Sequence, residues 1–250
     1  MSRRRDSFRL ASFVVSLSVL AACSAPGGGP SADPAAQIDA SVSSTSVSTI
    51  GDESAAFASL ATAVEQAGAN CLVVEQGGRI VGEWSWQGFE SGQLQEGFST
   101  TKSVAATLVG IAQDRGLLSI DQAASDFITE WQGTASETVT IRQLLSNTSG
   151  RFHDVVTDYA QLAFLEQDKS AFAVALGQQS DPGARWVYNN AAVQTLEVVL
   201  ERAVGQSVSD FAARNLFGPL GMSSRLSIDG AGNAGLFAGM QTNCVDLARF

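Results

Sequence analysis

Apolar residues recur at helical spacing through most of this chain, and β-rich runs come early. Phe57, Leu60 and Val64 predict a first helix over residues 52–69. Residues 71–75 and 79–86 are β-rich on either side of Gly77-Gly78, the sequence of a hairpin. Behind Lys102 an uncharged stretch lasts until Asp114, with Val104, Leu108 and Ile111 at helical spacing. Ala105, Ala106, Val109 and Ala112 fill its other sides. A helix apolar nearly all round is a buried one, and Gly116 ends it.

The middle of the chain continues in short helices. One is expected around 122–128, and one over 141–146, capped by Thr140 and closed by the turn-prone Asn147-Thr148-Ser149-Gly150. Helical stretches follow at 159–167 and 170–178, then a turn at Asp181-Pro182-Gly183. Asn190 reads as the cap of a helix over 191–204, Ser207 as the cap of one over 208–217, and Asn243 as the cap of the last. Early strands, central helices and no βαβ alternation give an α+β order.

The first 22 residues change the picture, because they are a targeting segment. Arg3, Arg4, Arg5 and Arg9 precede an apolar run over 10–20 that is too short to span a bilayer. Leu20-Ala21-Ala22-Cys23 looks like the lipobox of bacterial lipoproteins, which implies cleavage before Cys23 and lipidation of its sulfur. Residues 23–51 are then a flexible tether rich in Gly, Pro, Ser and Ala. The expected protein is extracytoplasmic and held at the bacterial cell membrane by lipid on Cys23, with its folded domain over 52–250.

Charge excludes one class of partner. The chain carries a net charge of −10, and without residues 1–22 it has 11 basic residues against 24 acidic ones, or −13. No basic stripe is present, so no nucleic-acid surface is expected. His153 is the single histidine, so no Cys/His cluster suggests a metal and no cofactor is called for. Cys71 and Cys244 lie far apart in sequence and read as lone buried thiols.

Candidate chemistry sits at the start of the buried helix. Ser99 and Lys102, three positions apart, share one helical face about one turn apart. Lysine occurs only at 102 and 169. At a buried helix start, desolvation and the positive end of the helix dipole both disfavour an ammonium. A neutral amine beside a hydroxyl can take its proton. The spacing alone fits a lysine snorkelling from a helix end equally well.

Tyr188-Asn189-Asn190 tips that balance. With Ser99, Lys102 and the run Leu144-Leu145-Ser146-Asn147-Thr148-Ser149-Gly150, the chain from about Phe57 to Phe250 resembles the penicillin-recognising serine hydrolases. These are class C β-lactamases, D,D-peptidases, esterases of the β-lactamase fold and 6-aminohexanoate-dimer hydrolases. The resemblance implies a β-lactamase/transpeptidase-like fold, with an antiparallel sheet flanked by helices and an all-helical subdomain. It implies Ser99 as nucleophile, Lys102 as its base, and Tyr188 as proton shuttle to the leaving group. Asn190 would orient substrate or Lys102, and Tyr159 would line the cleft. His153, without a Gly-x-Ser-x-Gly elbow, is expected to stand outside the chemistry.

The expected activity is hydrolysis of an ester or amide through an acyl-enzyme. The alternatives are β-lactamase or D,D-carboxypeptidase action on cell-wall peptides, and a non-catalytic lipoprotein that keeps the fold for binding. One departure stands out: no lysine follows Lys169, and the Lys-Thr-Gly or His-x-Gly edge strand of the family has no counterpart before Phe250. The expectation is therefore a truncated chain whose sheet lacks its last strands and exposes an edge.

Overall fold

The computed structural model describes residues 50–250. The expected signal segment, Cys23 and the expected tether as far as residue 49 lie outside the described residues. Two compact units divide the chain, one ending at Ser91 and the other running from Gly92 to Phe250.

In the first unit, α1 (Ile50–Gln66) is followed by β1 (Cys71–Gln76) and β2 (Arg79–Ser85). Ala61 and Val64 bury with Ala69 and Leu72, and Trp84 and Trp86 pack against them. The buried stripe of α1 therefore runs through Ala61, while Leu60 is exposed. The hairpin is antiparallel, with Cys71 opposite Ser85 and Gln76 opposite Arg79. Gly77 and Gly78 take φ values of 58° and 76°. The type I′ two-residue turn, which matches the strand twist, needs both to be positive, and glycine adopts them without strain.

The second unit contains β3 (Gln95–Glu96), α2 (Thr101–Asp114), α3 (Ile141–Leu145) and α4 (Lys169–Ala175). It continues with α5 (Asn190–Val204), α6 (Val208–Ala212), β4 (Arg225–Leu226), β5 (Met240–Thr242) and α7 (Cys244–Arg249). The strands form an antiparallel sheet in the order β3-β5-β4. Val104, Leu108 and Val109 of α2 bury with Ile141 and Leu144 of α3 and Leu196 and Leu200 of α5 in one core. α2 meets the expectation of an apolar helix sunk in the protein, with Ser103 and Ala106 left at its surface.

Five expectations need correction. Residues 122–128 form no α-helix: 3-10 turns occupy Ala124–Asp126 and Thr129–Trp131. There Ala124 N donates to Val139 O at 2.8 Å, so the backbone is committed across to residue 139. The stretch expected at 159–167 is a wider π-helix over Val156–Leu165, and α4, expected at 170–178, starts at Lys169 behind the Asp168 cap and stops at Ala175, where Leu176 turns extended. Cys71 and Cys244 are both disulfide-bonded, and are not free thiols. Sequence spacing carries no information on disulfide partners. Finally, the cap of α5 is Asn189, whose side chain accepts from Ala192 N at 2.8 Å. That shift of one residue places Asn190 inside the helix and leaves its amide available for other work. The remaining caps hold: Thr140 forms a reciprocal capping box with Gln143, and Ser207 and Asn243 accept from Asp210 N and Asp246 N.

Candidate active site

Ser99 stands on a tight turn that β5 clamps. Gly97 N donates to Met240 O at 2.7 Å, and a Cβ at Gly97 would stand 3.0 Å from that oxygen and 2.9 Å from the Met240 methyl. Phe98 then takes φ 43°, a left-handed conformation that costs a non-glycine residue about 1–3 kcal/mol. The turn is held by Thr101, fully buried, whose hydroxyl donates to Phe98 O at 2.5 Å and accepts from Met240 N at 2.9 Å. The result is an exposed Ser99 at the entry of the buried α2.

Lys102 reaches back along the same face. Its Nζ donates to Ser99 Oγ at 3.2 Å, to Asn190 Oδ1 at 2.7 Å and to Phe237 O at 2.7 Å. The carbonyl of Phe237 is aimed by Gln194 of α5, which donates to Ala234 O and accepts from Leu236 N, both at 2.9 Å. Tyr188 OH donates to Ser99 Oγ at 2.6 Å, and its ring centroid lies 4.6 Å from Lys102 Nζ. Burial holds the Lys102 ammonium below the usual lysine range, opposed by its interaction with Tyr188 and by the charge of Asp158. Lys102, three residues away, and Tyr188, 89 residues away, thus meet on the Ser99 hydroxyl.

Asn190 is buried, and both ends of its amide are engaged: Oδ1 by Lys102 and Nδ2 by Asp158 Oδ2 at 2.9 Å. Tyr159 is half exposed beside this group, and partial burial pushes its phenol up, aided by Tyr188 and Asp158 and offset by Asn190. The hydrogen bonds to Ser99 Oγ come from Lys102 and Tyr188, whereas His153 Nε2 lies 3.8 Å from Asp158 Oδ2. Sequence reasoning missed Asp158, Gln194 and the Phe237 carbonyl. One signal was present, since Asp158 is the single charge in the run 155–165.

The β-lactamase family model matches residues 56–225. The chain belongs to the β-lactamase family. Penicillin-binding protein 4* of Bacillus subtilis (strain 168) is 29% identical over 146 residues, which are 54% of this chain and 30% of that protein. A candidate β-lactamase from Bacteroides dorei DSM 17855 superposes with a TM-score of 0.63 at 26% identity, over 78% of this chain and 61% of that one. A candidate 6-aminohexanoate-dimer hydrolase from Bacillus anthracis gives a TM-score of 0.67 at 18% identity, over 76% of this chain and 55% of that one. For a D-stereospecific amidohydrolase from Streptomyces sp. the values are 0.64 and 20%, over 77% and 71%. The likenesses at or below 20% show the fold alone. The chain spans 30% of its curated relative's length and between 55% and 71% of these structures.

Proposed function

We propose that this β-lactamase-family chain is an extracytoplasmic serine hydrolase that cleaves an ester or amide through an acyl-enzyme on Ser99. One observation carries the reading: Lys102 Nζ and Tyr188 OH converge on Ser99 Oγ at 3.2 Å and 2.6 Å. Once neutral, Lys102 keeps two N–H groups on Asn190 Oδ1 and Phe237 O, and its lone pair faces Ser99. The serine proton passes to Lys102 as Oγ bonds to the substrate carbonyl carbon. The bond to the leaving group then breaks while Tyr188 gives that group its proton, and Lys102 restores the proton to Tyr188. Water, deprotonated by the same pair, bonds to the acyl carbon, and the pair returns the proton to Ser99 Oγ as the bond from Oγ to the acyl carbon breaks.

Asn190 acts in this scheme by orienting Lys102, because its amide is buried and fully engaged. Tyr159 flanks the substrate. Lipid on Cys23 holds the protein at the membrane: Cys23→Ala should move it from the membrane to the soluble fraction of cells, and an unchanged partition defeats the anchor.

The test of the activity is labelling with a fluorophosphonate and, separately, a fluorescent penicillin. The expected result is one phosphonyl adduct per chain on Ser99, absent from Ser99→Ala. Penicillin labelling would favour the second reading, cell-wall peptide chemistry, to which the similarity to a penicillin-binding protein points. A folded chain that takes neither label is a binding module on the same fold.

A further inference from the structure

Asp158 is a carboxylate that the chemistry above leaves unused. It lies in the π-helix and is 1% exposed. Its Oδ2 accepts from Asn190 N at 3.1 Å and Asn190 Nδ2 at 2.9 Å, and its Oδ1 accepts from Ala191 N at 2.8 Å. His153 Nε2 stands 3.8 Å from Oδ2. An ionised carboxylate only accepts hydrogen bonds, so it dictates which end of the Asn190 amide faces it. The NH2 group must point at Asp158, and Oδ1 must then point at Lys102.

We propose that Asp158 is a positioning residue: by locking the Asn190 amide in one orientation it keeps an acceptor, not a donor, against Lys102 Nζ. The inference rests on reading Ser99 and Lys102 as nucleophile and base. Turned over, the amide would present N–H to Lys102. That would repel the ammonium and would occupy the lone pair that the Ser99 proton needs. The Asp158 charge adds to this, since it supports the ammonium against burial. The groups that face Lys102 are Ser99 before α2, Tyr188 and Asn190 at the start of α5, and the Phe237 carbonyl. Tyr159 and His153 complete the titratable surroundings of Asp158. A purely structural role is the rival, because Asp158 also satisfies the first two N–H groups of α5.

Asp158→Asn separates the two. It keeps the shape and one acceptor oxygen but adds an NH2 group, which lets Asn190 turn over. With only two lysines in the chain, 13Cε-lysine NMR follows Lys102 directly, assigned by the signal lost in Lys102→Ala. The expected result is a Lys102 titration midpoint that moves down. Fluorophosphonate acylation slows about tenfold, and the acid limb of its pH profile moves to lower pH. A folded Asp158→Asn that melts earlier but keeps the Lys102 midpoint and the pH profile overturns positioning in favour of a cap. If wild type takes no label yet the midpoint moves, the hydrolase reading fails and the positioning stands. Should Asp158→Asn not fold, the wild-type Asn190 NH2 protons decide: slow exchange and a downfield shift support the lock, and fast exchange sinks it.

Discussion

Lys102 and Arg151 are both cations drawn into the second unit, and their surroundings put them to different use. Neither forms an ion pair among the described residues. Arg151 is 4% exposed, lies 4.2 Å over the Trp131 ring, and donates to Ser136 Oγ, Ala173 O and Val174 O at 2.6–3.0 Å. Burial pulls its guanidinium down only to about 10, so it stays charged. Lys102 is held by carbonyl oxygens too, but a serine hydroxyl completes its shell. Desolvation weakens both cations; only the lysine can release its proton into a reaction. Burial makes Arg151 a structural pin and leaves Lys102 as the cation that fits the proposed base.

Volume does not mark the difference. A cavity of about 660 Å³ is lined by Trp131, Arg151, Ser170 and Glu197, and by none of Ser99, Lys102 or Tyr188. The convergence of polar groups identifies the candidate site, and the cavity stands apart from it.

The largest effect on stability is expected at Arg151. Arg151→Ala strips partners from buried oxygens and should cost about 3 kcal/mol in urea unfolding, while the folded fraction still labels at Ser99. A label lost along with a stable fold would erase the distinction between the two cations.

Glu197, in the same cavity, sharpens it through pH. This carboxyl is 2% exposed, accepts from Ser170 Oγ at 2.8 Å, and is pushed up to about 7, chiefly by burial. Between about 4.5 and 7 the folded protein holds a proton that the unfolded chain has released. Stability is therefore greatest below this window, falls as pH rises through it, and is flat above. The loss is on the order of 3 kcal/mol. Glu197→Gln should flatten that slope without moving the Ser99 labelling rate, and a slope that survives the change would place its source elsewhere.

Tyr188→Phe should slow acylation about 100-fold, the loss of one acid–base partner, with an unchanged melting temperature. Retained activity would make Tyr188 a packing residue beside Trp186, whose ring centroid is 6.3 Å away. The smallest effect is expected at His153, where Ala should change the labelling rate by less than about twofold.

Local signals were legible in the sequence, and distant ones were not. The Gly77-Gly78 turn, the buried α2 and the caps at Thr140, Ser207 and Asn243 depend on residues a few positions apart. The pair Ser99 and Lys102 was legible for the same reason, and Tyr188 was found by its likeness to a family pattern. Asn189 and Asn190 are adjacent and chemically identical, so only the fold reveals which caps α5 and which meets Lys102. Phe237 contributes a backbone carbonyl, which no side-chain pattern records. β3, β4 and β5 are two or three residues long, too short to show alternation, and exist through pairing with distant segments.

The most direct test of the account is fluorophosphonate labelling of Lys102→Ala, followed by intact mass beside wild type. Acylation of Ser99 should fall at least about 1,000-fold in a chain that remains folded. Adduct accumulating on Ser99 at the wild-type rate would contradict the account, because the serine would then react without the amine that the fold brings to it.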